Sequence, residues 1–241
     1  MELIIFVLII IFFSSLIRSV FGFGDALVAM PLLSLIMPVK YSTPIVAIIA
    51  IFLSLSIIIK EWDRLSFKNV YVLILFSLIG IPIGIYLLDN VSEAFIKILL
   101  GLILISFSLF NLISPNLFEL KSKKFDWLFG LISGILGGAY NTNGPPIIVY
   151  GTLKKWDAGA FRTNLQAVFM PTNLFIISGH FINGNVTQLT LKYLIYSIPS
   201  ILLAFFIGNF LRLYIDKTKF IKYIFIILII LGLMMFIQAI F

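Results

Sequence analysis

The sequence predicts an all-α integral membrane protein. It should have eight hydrophobic segments in two inverted four-segment repeats, the first segment of each repeat broken and folded into a re-entrant hairpin. Three observations carry this. Hydrophobic residues make up 61% of the 241 positions and charged residues 11%, against about 25% charged in a soluble domain. Apolar runs recur at the length of about 20 residues that crosses a bilayer. Two of the runs are interrupted by glycines and polar groups at matching places, with proline just beyond. Paired Gly/Pro interruptions in two halves of a membrane chain point to a transport site.

The first unit runs from Leu3 to Pro38 and is broken by Gly22-Phe23-Gly24-Asp25. As one helix it would be about 54 Å long at 1.5 Å per residue, against a hydrocarbon core of about 30 Å, so it must bend, break or fold back. Asp25 is placed to cap a helix through Ala26 to Met37. Three uninterrupted segments follow, Tyr41–Ile59, Asn69–Leu88 and Ala94–Ile113, and then a basic linker, residues 114–126, with Lys121, Lys123 and Lys124. The second broken unit, Trp127–Leu153, is interrupted from Gly137 to Pro146. There Asn143 suits an N-cap and Pro145-Pro146 the first turn of a new helix. Ala158–Gly179, Leu191–Leu211 and Phe220–Ile240 complete the set. The runs are about twice the length of barrel strands, so they are helices.

The order of elements repeats. Gly84, a polar turn from Asp89 to Glu93, Lys97 and a long apolar helix in the first half match Gly208, a turn through Asp216 to Lys219, Lys222 and a long apolar helix in the second. The repeats are residues 1–113 and 127–241. With all eight units crossing, seven loop cations fall on one side and nine on the other. With the broken units as hairpins, thirteen, Arg64 and Arg162 among them, face three: Lys40, Lys97 and Lys192. The positive-inside rule expects such a split.

Composition excludes several classes. There is no cysteine, hence no disulfide, thiolate metal site or cysteine nucleophile, and the single histidine allows no His-based metal cluster. No cofactor is expected. The net charge of +7 reads as membrane topology, and nucleic-acid binding is unsupported. No Ser/His/Asp or metal constellation lies in the spans, which argues against an enzyme. Glu2 in place of a basic leader, with no small-residue cleavage site, argues against a signal peptide. His180, beside Asn183 and Gly184, is expected in a solvated loop.

Irregular backbone at membrane depth persists only where protein or a wet cavity satisfies it. Each break aims a helix N-terminus inward, and N-termini offer free N–H groups and partial positive charge. Two N-termini with an arginine favour a small oxyanion. The candidate substrate contacts are Gly22, Phe23, Gly24, Asp25, Asn141, Thr142, Asn143, Gly144, Pro145, Arg162, Asn164 and Gln166. Plainer roles exist for each type: close packing for the glycines and interhelical hydrogen bonding for the asparagines, or snorkelling to the interface for Arg162. Asp25 is the only carboxylate clearly within a hydrophobic unit, an intramembrane acid and so a proton-coupling candidate. Beside an anion site it must be protonated or paired with Arg18. The partners are a small anion and the lipid bilayer of a cell membrane, inner or plasma; homo-oligomerisation is left open. An anion channel or a lipid-phosphate flippase are the alternatives to a secondary-active transporter.

At Phe21-Gly22-Phe23-Gly24-Asp25-Ala26-Leu27-Val28-Ala29-Met30-Pro31-Leu32-Leu33 the chain resembles the sulfite exporter TauE/SafE family, also described as a toluene-sulfonate uptake permease family. Gly134-Ile135-Leu136-Gly137-Gly138-Ala139, Gly144-Pro145-Pro146 and Phe161-Arg162-Thr163 extend the resemblance, in the same order, over nearly the whole chain. It implies a duplicated permease of seven or eight segments, exporting sulfite, an organosulfonate or a related anion with a proton gradient. Asp25 stands where many members have a further glycine, and Tyr140-Asn141 where small residues are usual.

Overall fold

A computed structural model describes residues 2–61, 63, 67–113, 119–215 and 217–240. Arg64, Asp216 and the first part of the predicted linker, residues 114–118, lie outside them. Ten helices follow in order: α1 Glu2–Phe21, α2 Asp25–Ser34, α3 Val39–Lys60, α4 Phe67–Asn90, α5 Glu93–Ile113, α6 Asp126–Tyr140, α7 Gly144–Leu153, α8 Ala158–Ile182, α9 Gln188–Leu211 and α10 Lys217–Ile240. No strand occurs among the described residues. Among the described residues, seven helices are long and apolar enough to cross a membrane: α1, α3, α4, α5, α8, α9 and α10. Their outward faces carry exposed Phe52, Tyr71, Leu75, Ile195, Leu203 and Phe206. Apolar side chains facing outward at this density suit hydrocarbon as the solvent.

Both predicted breaks are present, and both are narrower than the sequence suggested. In the first, Gly22 and Gly24 take φ of +87° and +98°, a left-handed backbone that glycine adopts without a Cβ penalty. Asp25 does not cap α2 from outside; it is the first residue of the helix, which ends at Ser34 rather than Met37. In the second, Gly137 to Tyr140 continue α6. The helix closes where Asn141 turns left-handed at φ 53° and Thr142 N–H reaches back to Leu136 O at 3.3 Å, satisfying a terminal carbonyl. Another correction concerns His180. It lies inside α8, fully buried, with Nδ1 3.0 Å from Asn185 Nδ2, because the helix runs on to Ile182 and the following turn folds back over the ring.

The second broken unit returns to where it began. Leu120 N–H donates to Leu153 O at 2.8 Å, and Lys154 Nζ reaches Ser122 O at 2.8 Å and Asp126 Oδ1 at 3.7 Å. The end of α7 therefore lies beside the start of α6. Helix directions agree. Gly130, Gly134 and Gly138 of α6 meet Leu73, Ser77 and Ile81 of α4 in rising order, and Ile85 and Asp89 of α4 meet Gly179 and Asn183 of α8, also rising. α6 and α8 both run with α4, so α7 must bring the chain back. In the first unit α1 alone is long enough to span, so its two arms are unequal.

α4 and α6 share the most extensive contact of the described helices. A Cβ at Gly84 would strike Ile135 O, and one at Gly134 would strike Ser77 O. Without a hydrophobic driving force in lipid, such small-residue seams hold helices together by dispersion. α5 and α10 pack antiparallel, with Gly101 against Gly232 and Met235, and Phe107 against Phe225 at 5.7 Å. α3 and α8 are antiparallel too: Ser54 and Gln166 share one partner, while Ala47 clusters with Ile176.

Candidate functional site

The two breaks meet at one buried cavity. Its walls are Phe23 to Leu27 from the first break, Asn141 to Gly144 from the second, Arg18 from α1, and Phe169 and Asn173 from α8. The cavity measures about 10 Å³, room for about one water. Among the described residues, Arg18 and Asp25 are its only charged side chains, at 2% and 4% exposure.

The pair is tight. Arg18 Nη1 donates to both carboxylate oxygens of Asp25 at 2.7 Å. Its Nη2 donates to Ser54 Oγ at 2.5 Å and Gln166 Oε1 at 2.9 Å, and the guanidinium lies 5.3 Å from the Phe169 ring centre. Helices α1, α3 and α8 thus hold the cation in place, and Asp25 is a fourth contact. Both terminal nitrogens of Arg18 are thus matched, as so buried an ion pair requires, and Nε alone is left without a partner.

The rest of the cavity is polar and under-satisfied. Asn141, Thr142 and Asn173 are each 1% exposed, and Asn141 Oδ1, Thr142 Oγ1 and Asn173 Oδ1 have no hydrogen-bond partner. Asn143 stands at the N-cap of α7, yet its side chain makes no capping bond; Nδ2 donates instead to Thr172 Oγ1 at 3.0 Å. Ser133 Oγ holds the Asn143 carbonyl at 2.7 Å. The first turn of a helix leaves its N–H groups free. Pro145 and Pro146 lack that donor, so α2, with Asp25, Ala26 and Leu27, presents more N–H groups to the cavity than α7.

The predicted contacts divide. Phe23, Gly24, Asp25, Asn141, Thr142, Asn143 and Gly144 line the cavity. Gln166 sits one step behind, its Nε2 donating to Gly22 O at 2.5 Å. Gly22 packs on the Arg162 side chain. Pro145 is buried in the first turn of α7. Arg162 lies away from the cavity, its Nη1 3.4 Å from Glu61 Oε1 and its Nη2 donating to Ser19 O at 3.3 Å. Asn164 is fully buried with neither amide atom bonded, but it does not line the cavity. Sequence reasoning left out Ser54, Phe169 and Asn173, and did not include Arg18 among the contacts. A signal for α8 existed: Arg162, Gln166, Phe169 and Asn173 recur at four, three and four residues, the spacing of one helical face.

Seven described helices long and apolar enough to cross a membrane, with two breaks after which α2 and α7 start at one polar cavity, define a multi-pass membrane permease. The family model described as Sulfite exporter TauE/SafE matches residues 7–235. The chain belongs to that family. No curated protein and no solved structure matches it significantly.

Proposed function

We propose that the chain is a secondary-active transporter, not an enzyme, that exports a small oxyanion such as sulfite or an organosulfonate across the cell membrane, coupled to protons through Asp25. The observation that carries this reading is the junction of both helix breaks in one buried cavity with unpartnered polar groups, in a chain of a sulfite exporter family. Helix N-termini and oriented amides favour an anion there.

We read the architecture as two inverted repeats, residues 1–113 and 127–241, joined by the basic linker. Two features support it. Pairing α1–α5 with α6–α10 in order exchanges the α4–α6 contact with the α9–α1 contact and maps α3–α8 and α5–α10 onto themselves. The self-paired helices run antiparallel, as copies related by an axis in the membrane plane must. Both broken units are then hairpins from opposite faces, with the end bearing Glu61, Lys154 and Arg212 in the cytoplasm.

Proteoliposome flux tests the function. Sulfite, an organosulfonate, sulfate and a small carboxylate are offered with and without a pH gradient. Gradient-dependent flux of the sulfur oxyanions is expected; absence of flux for every anion refutes the reading. Reporter fusions at residue 1 and after Lys40 should report the same face, and opposite faces would remove the first hairpin.

A further inference from the structure

We infer that Arg18 is the cation that holds the transported anion, and that Asp25 occupies the anion's place when the site is empty. This rests on the transport reading above and adds to it the residue that binds and the origin of the proton coupling.

The geometry of the pair argues for it. Asp25 gives Arg18 two carboxylate oxygens at 2.7 Å each, the two-oxygen arrangement that a sulfite or sulfonate also presents. Nη1 bonds only to Asp25, but Arg18 keeps its place without it, because Ser54 and Gln166 hold Nη2 from two other helices. The guanidinium is therefore fixed in advance of a ligand. The unpartnered Thr142 hydroxyl, Asn141 carbonyl oxygen and Asn173 carbonyl oxygen lie in the walls of the same cavity. The Thr142 hydroxyl is a donor that Asp25 leaves unused, and each asparagine adds one when its amide turns its NH2 toward an oxyanion.

Space decides how the exchange occurs. The cavity is about 10 Å³, too small for a second oxyanion beside the first. An anion reaches Arg18 Nη1 only where the Asp25 carboxylate now sits. Asp25 is then displaced, buried, and next to a like charge. A proton taken from solution onto a carboxylate oxygen removes that repulsion. Anion and proton bind together, and they leave together when Asp25 returns to Arg18 as a carboxylate. The charged neighbours do not supply an alternative partner. Arg162 on α8 and Arg212 on α9 are engaged with Glu61 at the end of α3. Glu93 and Lys97 on α5 pair with each other. The second break contributes no charged side chain to the cavity.

The preference is for oxyanions over halides, since one spherical ion cannot give Nη1 the two oxygens that a carboxylate or sulfonate offers. Methanesulfonate is the useful probe, because it stays ionised across the working pH range. Binding to the purified full-length protein is measured calorimetrically in two buffers of different ionisation enthalpy. The wild type should take up about one proton per methanesulfonate bound. Asp25→Asn should bind about tenfold tighter at neutral pH, with no proton uptake, because the internal competitor is gone. The double variant Arg18→Gln/Asp25→Asn leaves no buried charge unpaired and should keep its thermal midpoint, while binding weakens at least about a hundredfold. Should the double variant fail to fold, Arg18→Lys decides: about tenfold weaker binding is expected, because an ammonium cannot meet Ser54, Gln166 and the anion with the fixed geometry of a guanidinium. Zero proton uptake in the wild type overturns the coupling. Undiminished binding in the double variant or in Arg18→Lys overturns the assignment of Arg18. Either result with wild-type sulfite flux intact leaves anion export standing and removes only the proton coupling or the role of Arg18, whereas absence of wild-type binding and flux removes both.

Discussion

Asp89 and Arg212 close opposite ends of the bundle around the same two helices. Asp89, near the end of α4, takes Lys40 from the start of α3 at 3.0 Å and Asn183 from the end of α8 at 2.9 Å. Arg212, at the end of α9, takes Glu61 from the end of α3 at 2.9 Å, and Arg162 near the start of α8 reaches the same carboxylate. Under the proposed duplication these are equivalent sets: Lys40 to Arg162 and Glu61 to Asn183 are each 122 residues apart, and Asp89 to Arg212 is 123.

Breaking one end should open the cavity to that side. The chain has no cysteine, so Thr142→Cys gives a single reporter inside the cavity. Glu61→Gln should raise its labelling by a membrane-impermeant thiol reagent added at the basic face, and Asp89→Asn should raise it from the other face. Labelling from the same face in both backgrounds would contradict this.

Arg18→Gln alone leaves Asp25 buried without its counter-ion. Removing one partner of a buried pair costs about 3–5 kcal/mol. The thermal midpoint in detergent should fall sharply, and adding Asp25→Asn should restore most of it. A single variant as stable as the wild type would mean that water reaches the pair freely.

Thr142→Val separates binding from folding. The hydroxyl has no partner in the closed cavity, so an apolar group of the same shape should leave stability unchanged or raise it slightly. Sulfite flux should fall about tenfold, the effect of losing one hydrogen bond of about 1.4 kcal/mol to the anion. Unchanged flux would take Thr142 out of the site.

The glycine seam can be tested with a contrast. Gly134→Leu forces side-chain atoms into Ser77 O and the α4 backbone, and it should abolish recovery of folded protein by size exclusion. Gly184→Ala meets no atom within 4 Å. Its left-handed φ of +70° should cost only about 1–2 kcal/mol. Equal recovery of both variants would show that the seam does not set stability.

Much of this was legible in the letters. Membrane helices follow from apolar run length, and the breaks from Gly22, Gly24, Asn141 and the Pro145-Pro146 start, whose local preferences act within a few residues. Harder to read were the exact closures. The sequence places Gly137 and Gly138 in the break, but the helix runs on to Tyr140, because Gly138 fits against Ile81 and Ile85 of α4 and packing outweighs glycine's weak helix preference. Asn143 has the residue type of a capping side chain, yet a better partner in Thr172 lies on a helix that sequence does not place beside it. His180 was expected in solvent, and a longer α8 with Asn185 buried it.

Sequence alone determined that the chain is a helical membrane protein, that it breaks twice, and that Arg18 and Asp25 lie close enough along the chain to pair across a glycine turn. These are one-dimensional properties: hydropathy, backbone preference and short spacing. Tertiary structure decided which long-range groups join them. Ser54 and Gln166 reach Arg18 from 36 and 148 residues away, while Arg162 is drawn off to Glu61. Side-chain partners at that separation depend on how helices pack, and packing is a property of the whole bundle.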